Sequence, residues 1–156
     1  MVSIRINIKE HLKEYLSAKF GKNNDQLISL PDGCDLYHTL FNLTQKRPEN
    51  CPFDSGNLII ALPDRGIGKD PAYYNYLGQR GEHIFEQRVE IMFWAEVHDF
   101  IDYNKHREGI EYLDSVHSFI QMYNLSSISD DALIKNYYRW RMKVRKRDKK
   151  RQYNKS

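Results

Sequence analysis

The sequence predicts an α+β protein: a small N-terminal β-sheet with two helices, followed by a mainly helical C-terminal half that ends in a basic helix. Three observations carry this. Short β-branched and apolar runs closed by turn residues recur in the first 66 residues. After Pro71 the apolar spacing changes to three and four, the period of a helix. From Lys135 onward, 11 Lys and Arg stand against one acid, Asp148, whereas residues 1–134 hold 13 bases and 20 acids. The formal net charge of +3 conceals this split.

The elements follow in order. Val2, Ile4, Ile6 and Ile8 alternate with Ser3, Arg5 and Asn7, the pattern of a half-buried strand. Ile8, Leu12, Tyr15 and Leu16 then take helical spacing, and Gly21 closes that helix. Leu27 to Leu30 is a short apolar run stopped by Pro31-Asp32-Gly33. Leu36, Leu40 and Leu43 place a second helix over Asp35 to Gln45. Leu58 to Leu62 is the third strand. A helical stretch is expected over Ala72 to Leu77, with a break near Gly78 and Gly81. Glu82 to about Asn104 is apolar on most sides, which predicts a central helix. Tyr112, Val116, Phe119, Ile120 and Tyr123 form one apolar face of the next helix. The expected organisation is a single domain over 1–147, with a sheet-containing part (1–66) and a helical part (71–147). Residues 148–156 form a polar tail expected to fray.

Composition narrows the function classes. A chain of 156 residues buries enough surface to need no metal or disulfide. Cys34 and Cys51 make no disulfide framework. No apolar run reaches the length of a membrane span, and the N-terminal alternation is not that of a signal peptide. A cytoplasmic protein without membrane partners or cofactors is expected. The basic end points to a polyanion, with DNA favoured over RNA.

The basic segment has an internal pattern. Ser129 is placed to cap it, and Asp130 and Asp131 suit the positive end of the helix dipole. At about 100° per residue, Leu133, Tyr137, Trp140 and Val144 share one face. Lys135, Arg139 and Lys146 cluster opposite, with Tyr138 and Arg145 beside them. With the helix before it, this segment outlines a helix-turn-helix. Lys135, Asn136, Tyr138 and Arg139 would then lie nearest the base edges. Arg141, Lys143, Arg145, Lys146, Arg147, Lys149, Lys150 and Arg151 would neutralise phosphates. With about six to ten such contacts, affinity falls by roughly three to five decades between about 50 and 200 mM salt.

Other constellations carry less. Asp64 to Lys69 follows a strand but lacks the first glycine of a phosphate loop, and Asp70 and Pro71 follow it. It reads as a turn whose Arg65 and Lys69 could touch a DNA backbone. Cys34, His38 and Cys51 have a loose metal-like spacing with no fourth ligand. Glu96 sits on an apolar stripe near His98, Asp99, Asp102 and His106, the raw material of a metal-dependent nuclease. Glu96, His98 and Asp99 nonetheless point in different directions on one helix, and pairing of Glu96 with Arg88 or Arg107 is the simpler expectation. No catalytic or metal-binding residue is assigned, and the protein is not expected to be an enzyme.

The run Ile128 to Lys143, Ile-Ser-Asp-Asp-Ala-Leu-Ile-Lys-Asn-Tyr-Tyr-Arg-Trp-Arg-Met-Lys, and Leu62-Pro63-Asp64-Arg65 with Lys69-Asp70-Pro71 resemble small uncharacterised proteins of bacterial prophages and mobile elements. The resemblance covers most of the chain and brings no catalytic residues. It implies a DNA-associated role in transcription control or element mobility. The alternative is a protein-interaction or assembly module, in the simplest case a homodimer, whose basic end docks an acidic partner.

Overall fold

The computed structural model describes residues 2–21 and 26–155. The elements are β1 (Ser3–Ile6), α1 (Glu10–Phe20), β2 (Leu27–Ile28), α2 (Asp35–Leu43), β3 (Leu58–Ala61), α3 (Gln79–His106), α4 (Tyr112–Met122) and α5 (Asp130–Lys155). This is the α+β class expected. The chain forms two compact units, residues 1–93 and 94–156, divided within α3 rather than at the 66–71 junction.

In the first unit, alternation in β1 turns Ile4 and Ile6 inward and leaves Ser3 and Arg5 exposed. β3 lies between β1 and β2. It pairs antiparallel with β1 and parallel with β2, so Ile60 faces Ile4 on one side and Ile28 on the other. These three isoleucines are at most 3% exposed and form one row across the inner face. Burying each stabilises by about 1.5–3 kcal/mol. Leu12, Tyr15 and Leu16 of α1, Leu36 and Leu40 of α2, and Phe85, Val89 and Phe93 of α3 complete this core. Phe93 meets the Tyr15 ring edge-on at 5.2 Å.

Polar groups fasten the strand ends. Asn57 accepts from the Ile8 N–H (3.0 Å) and donates to the Ile8 carbonyl (2.7 Å), acting as a strand partner where β1 has ended. Gly56 before it has φ 151°, and a Cβ there would lie 2.1 Å from the Ile6 carbonyl oxygen. Gly21 does close α1, but with extended backbone (φ −71°). Glycine is needed there because a Cβ would meet the Ser17 carbonyl at 2.3 Å.

Two local expectations are corrected. Residues 72–77 are not helical: a turn over 71–73 leads into irregular chain with an isolated bridge at Tyr76. The Tyr73 and Tyr74 N–H groups bond Asp70, but Tyr76 then exchanges both backbone hydrogen bonds with Gln45. Arg47 also claims the Asn75 carbonyl and side chain, which extracts the chain from a second helical turn. Secondly, α3 is not buried all round. Its fully buried positions, Phe85, Val89, Phe93, Val97 and Ile101, fall every four residues in one stripe, while Ile91 is 66% exposed.

In the second unit, Val97 and Ile101 of α3, Val116 and Phe119 of α4, and Leu133 and Tyr137 of α5 form the core. The α4–α5 connection is anchored by Leu125, which is buried, and turns at Asn124 with φ 51°. Ser129 caps α5 as expected: its Oγ accepts from the Ala132 N–H at 3.1 Å. Beside it, Asp130 accepts from His117 (3.1 Å) and from the Asp131 N–H, which holds its carboxyl below the usual range. Ser129→Ala removes one of these partners and should lower stability by about 1 kcal/mol, a fall of about 2–4 °C in Tm by calorimetry. α5 then runs unbroken to Lys155, through the segment after Arg147 that was expected to loosen. Ser156 lies outside the described residues.

Candidate nucleic-acid interface

α5 is seated by its first half. Leu133 and Tyr137 are 0% exposed, and Trp140 and Val144 are half-buried on the same face. The Tyr137 ring packs against those of Tyr112 (5.3 Å) and Trp140 (5.8 Å). Its hydroxyl donates to Asp102 Oδ1 at 2.8 Å. Burial and that carboxylate hold the phenol well above its ordinary range, so it stays a donor. One turn back on α3, His98 stacks on Trp140 at 4.7 Å with the rings 13° from parallel, and its Nε2 meets Asn136 Oδ1 at 2.7 Å.

This seat divides the predicted nucleic-acid residues. Asn136 is half-buried and held by His98, so its amide is not presented as a base-edge reader. Arg141 is half-buried beside Asp102 (3.7 Å), and its Nε is buried without a hydrogen-bond partner among the described residues. It belongs to the seam with α3 rather than to a phosphate-facing row. Lys135 is exposed and pairs with Asp131 one turn earlier at 2.8 Å. Tyr138 is 44% exposed, with its ring edge-on to Tyr112 at 5.5 Å. Arg139 is exposed, with its Nε on the Lys135 carbonyl at 3.4 Å.

The remaining candidates stand apart. Lys143, Arg145, Lys146, Arg147, Lys149, Lys150 and Arg151 are all exposed, and no ion pair among the described residues engages them. Residues 145–154 are ten consecutive helical positions without a buried or half-buried side chain. Lys, Arg and Gln are good helix formers and no Gly or Pro intervenes, which favours the helix. Like charges at i, i+4 (Lys146 and Lys150, Arg147 and Arg151) oppose it by a few tenths of a kcal/mol each. A multivalent anion would remove that repulsion.

Acidic charge in the second unit lies elsewhere. Residues 94–134 hold eight acids and two bases. Glu96 accepts from the Tyr123 hydroxyl, not from Arg88 or Arg107. The α3 residues that seat α5 were not connected to it from sequence. Their signal is the four-residue spacing of His98 and Asp102, which puts both on one side of α3.

The other constellations resolve into structural contacts. Lys69 Nζ donates to the carbonyls of Phe41, Asn42 and Thr44 at 2.8–3.1 Å, capping α2 instead of facing a phosphate. Arg65 lies over the rings of Phe41 (4.9 Å) and Tyr37 (5.4 Å) and bonds His38 Nδ1 at 2.8 Å. Cys51 instead sits by Arg47, whose guanidinium forks onto Asp54 at 2.9 and 3.1 Å. Among the described residues there is no group of three or more His, Cys, Asp or Glu placed to hold a metal ion. Nor, among the described residues, is any helix long and apolar enough to cross a membrane.

Two histidines link stability to pH. Burial lowers His98 below its usual 6.5, more than its Asn136 bond raises it. Burial lowers His11 likewise, helped by Lys9. The unfolded chain therefore binds protons that the folded chain refuses. This stabilisation is complete above pH 6.5 and is lost as pH falls through the lowered folded values. Tm should be level above about pH 7.5 and decline as pH falls below about 6.5, with a shallower decline in His98→Gln. Thermal melts across that range check it.

No protein family, curated protein or solved structure matches this chain.

Proposed function

We propose that this protein binds DNA through the exposed cationic surface of α5. The observation that carries this is the ten-residue exposed helical stretch 145–154, in which six cations stand against Asp148. A helix polar on every side has no core of its own to bury. Cations at this density suit a phosphate backbone, whose condensed counterions are released on contact. The binding surface therefore centres on Lys143 to Arg151, with Arg139 and Tyr138 at its inner edge. Two of the four base-reading positions of a helix-turn-helix are otherwise engaged, since Asn136 meets His98 and Lys135 meets Asp131. This favours backbone-directed binding over tight sequence reading. The resemblance read from Ile128 to Lys143 suggests the setting, a regulatory or accessory role on the DNA of a phage or mobile element. An electrophoretic shift with a generic duplex tests it: a complex is expected at about 50 mM salt, and none at that salt overturns the proposal.

A second reading has its own observation. Five of the eight acids of residues 94–134, Asp99, Glu108, Glu111, Asp114 and Asp131, are exposed and offer complementary charge for the basic helix of another copy. That contact would be head-to-tail. Sedimentation without nucleic acid separates the two: salt-sensitive oligomers and no DNA affinity would favour it.

A further inference from the structure

We infer that the exposed stretch of α5, residues 145–154, lies lengthwise in the major groove of B-form duplex DNA. This rests on the DNA-binding reading above and adds the form of nucleic acid and the mode of contact. Charge is distributed around this helix in a way that fits a groove. At about 100° per residue and with Arg145 at zero, Lys149 falls at about 40°, Lys146 at about 100° and Lys150 at about 140°. Arg147 follows at about 200° and Arg151 at about 240°. From Arg145 to Arg151 the cations thus cover about two thirds of the circumference, and Asp148, at about 300°, occupies the uncovered third.

A groove presents three sides to a helix inside it: a phosphate wall, a floor of base edges, and a second phosphate wall. Arg145 and Lys149 match one wall. Arg147 and Arg151 match the other, Lys146 and Lys150 face the floor between them, and Asp148 faces out. A flat acidic protein surface, a bilayer or a single strand would use one arc of this circle and leave cations opposite it without a partner. The stretch is exposed on every side, so nothing in its own unit blocks entry. A helix with side chains is about 10–12 Å across, and the B-form major groove is about 12 Å wide. The deep, narrow major groove of A-form RNA does not admit it. Ten residues at about 1.5 Å each run along roughly 15 Å, about four to five base pairs of duplex.

The test uses the full chain with three probes of equal length: duplex DNA, duplex RNA and single-stranded DNA. Anisotropy titrations should show DNA duplex bound at least about tenfold more tightly than RNA duplex at equal salt. Two variants, Arg145→Gln with Lys149→Gln and Arg147→Gln with Arg151→Gln, each neutralise one wall. Each should lower the slope of log K against log salt by about two. Equal affinity for the two duplexes, or an effect of one pair and not the other, overturns the groove and leaves DNA binding standing. No binding to any probe at about 50 mM salt overturns both.

Discussion

Reversing Arg147, Lys149 and Arg151 to glutamate should reduce affinity for duplex DNA by about three orders of magnitude or more at about 100 mM salt, with Tm unchanged to within about 1 °C. Each phosphate contact contributes a counterion-release term of about 0.9 decade in affinity per decade of salt. Between about 1 M and 0.1 M salt, three lost contacts amount to nearly three decades, and three new repulsions add to the loss. The fold is indifferent because these side chains are exposed and touch no core residue. The choice of positions matters. Arg141 lies in the same basic run, but its side chain is 29% exposed and faces Asp102. Arg141→Glu would set two carboxylates together at a half-buried site and destabilise the unit. A binding loss there would report unfolding as much as lost contact. Parallel anisotropy titrations and thermal melts of the reversed and native chains check the prediction.

Tyr137→Ala should be the most damaging single change to the second unit, costing about 3–5 kcal/mol, or about 8–15 °C in Tm. The ring is 0% exposed and packs on the rings of Tyr112 and Trp140. Its loss leaves a cavity that the neighbouring aromatics, each held by further contacts, cannot close. Its hydroxyl is also a donor to Asp102, which keeps a longer contact to His106 at 3.5 Å. Tyr137→Phe isolates that bond and should cost about 1.5–3 kcal/mol, the range for a hydrogen bond to a charged group. The cations of 143–151 lie beyond this seam. Below its lowered Tm, Tyr137→Ala should therefore bind DNA with nearly native affinity. Denaturant melts and binding titrations on the same preparation separate the two effects.

The regular parts of this fold were legible because each has a periodic signature. Alternation of Ile4 and Ile6 with Ser3 and Arg5 is what a half-buried strand requires, and β1 follows it. Spacing of Leu133, Tyr137, Trp140 and Val144 identified the face by which α5 is seated, and Ser129 its first turn. What was not legible depends on residues distant in sequence. A helical wheel shows that Asn136 and Arg141 flank the apolar seam, but not that His98 and Asp102 wait there. The non-helical path of 72–77 was missed for the same reason. Its local spacing is helical, and only the bonds from Gln45 and Arg47, nearly 30 residues earlier, pull it open. In α3, apolar residues on several faces suggested complete burial. Neighbouring elements cover one stripe, which leaves Ile91 outside. At the end of α5, the polarity of residues 148–156 suggested a fraying tail, whereas the good helix formers there continue the helix to Lys155.

The account depends on α5 meeting DNA through several cations acting together. The slope of log K against log salt for the native chain on a generic duplex measures that number directly. Four wall contacts from Arg145 to Arg151 predict a slope of about −4, and Arg139 and Lys143 would steepen it to about −5. A slope between zero and about −1, or no binding at about 50 mM salt, would contradict the account.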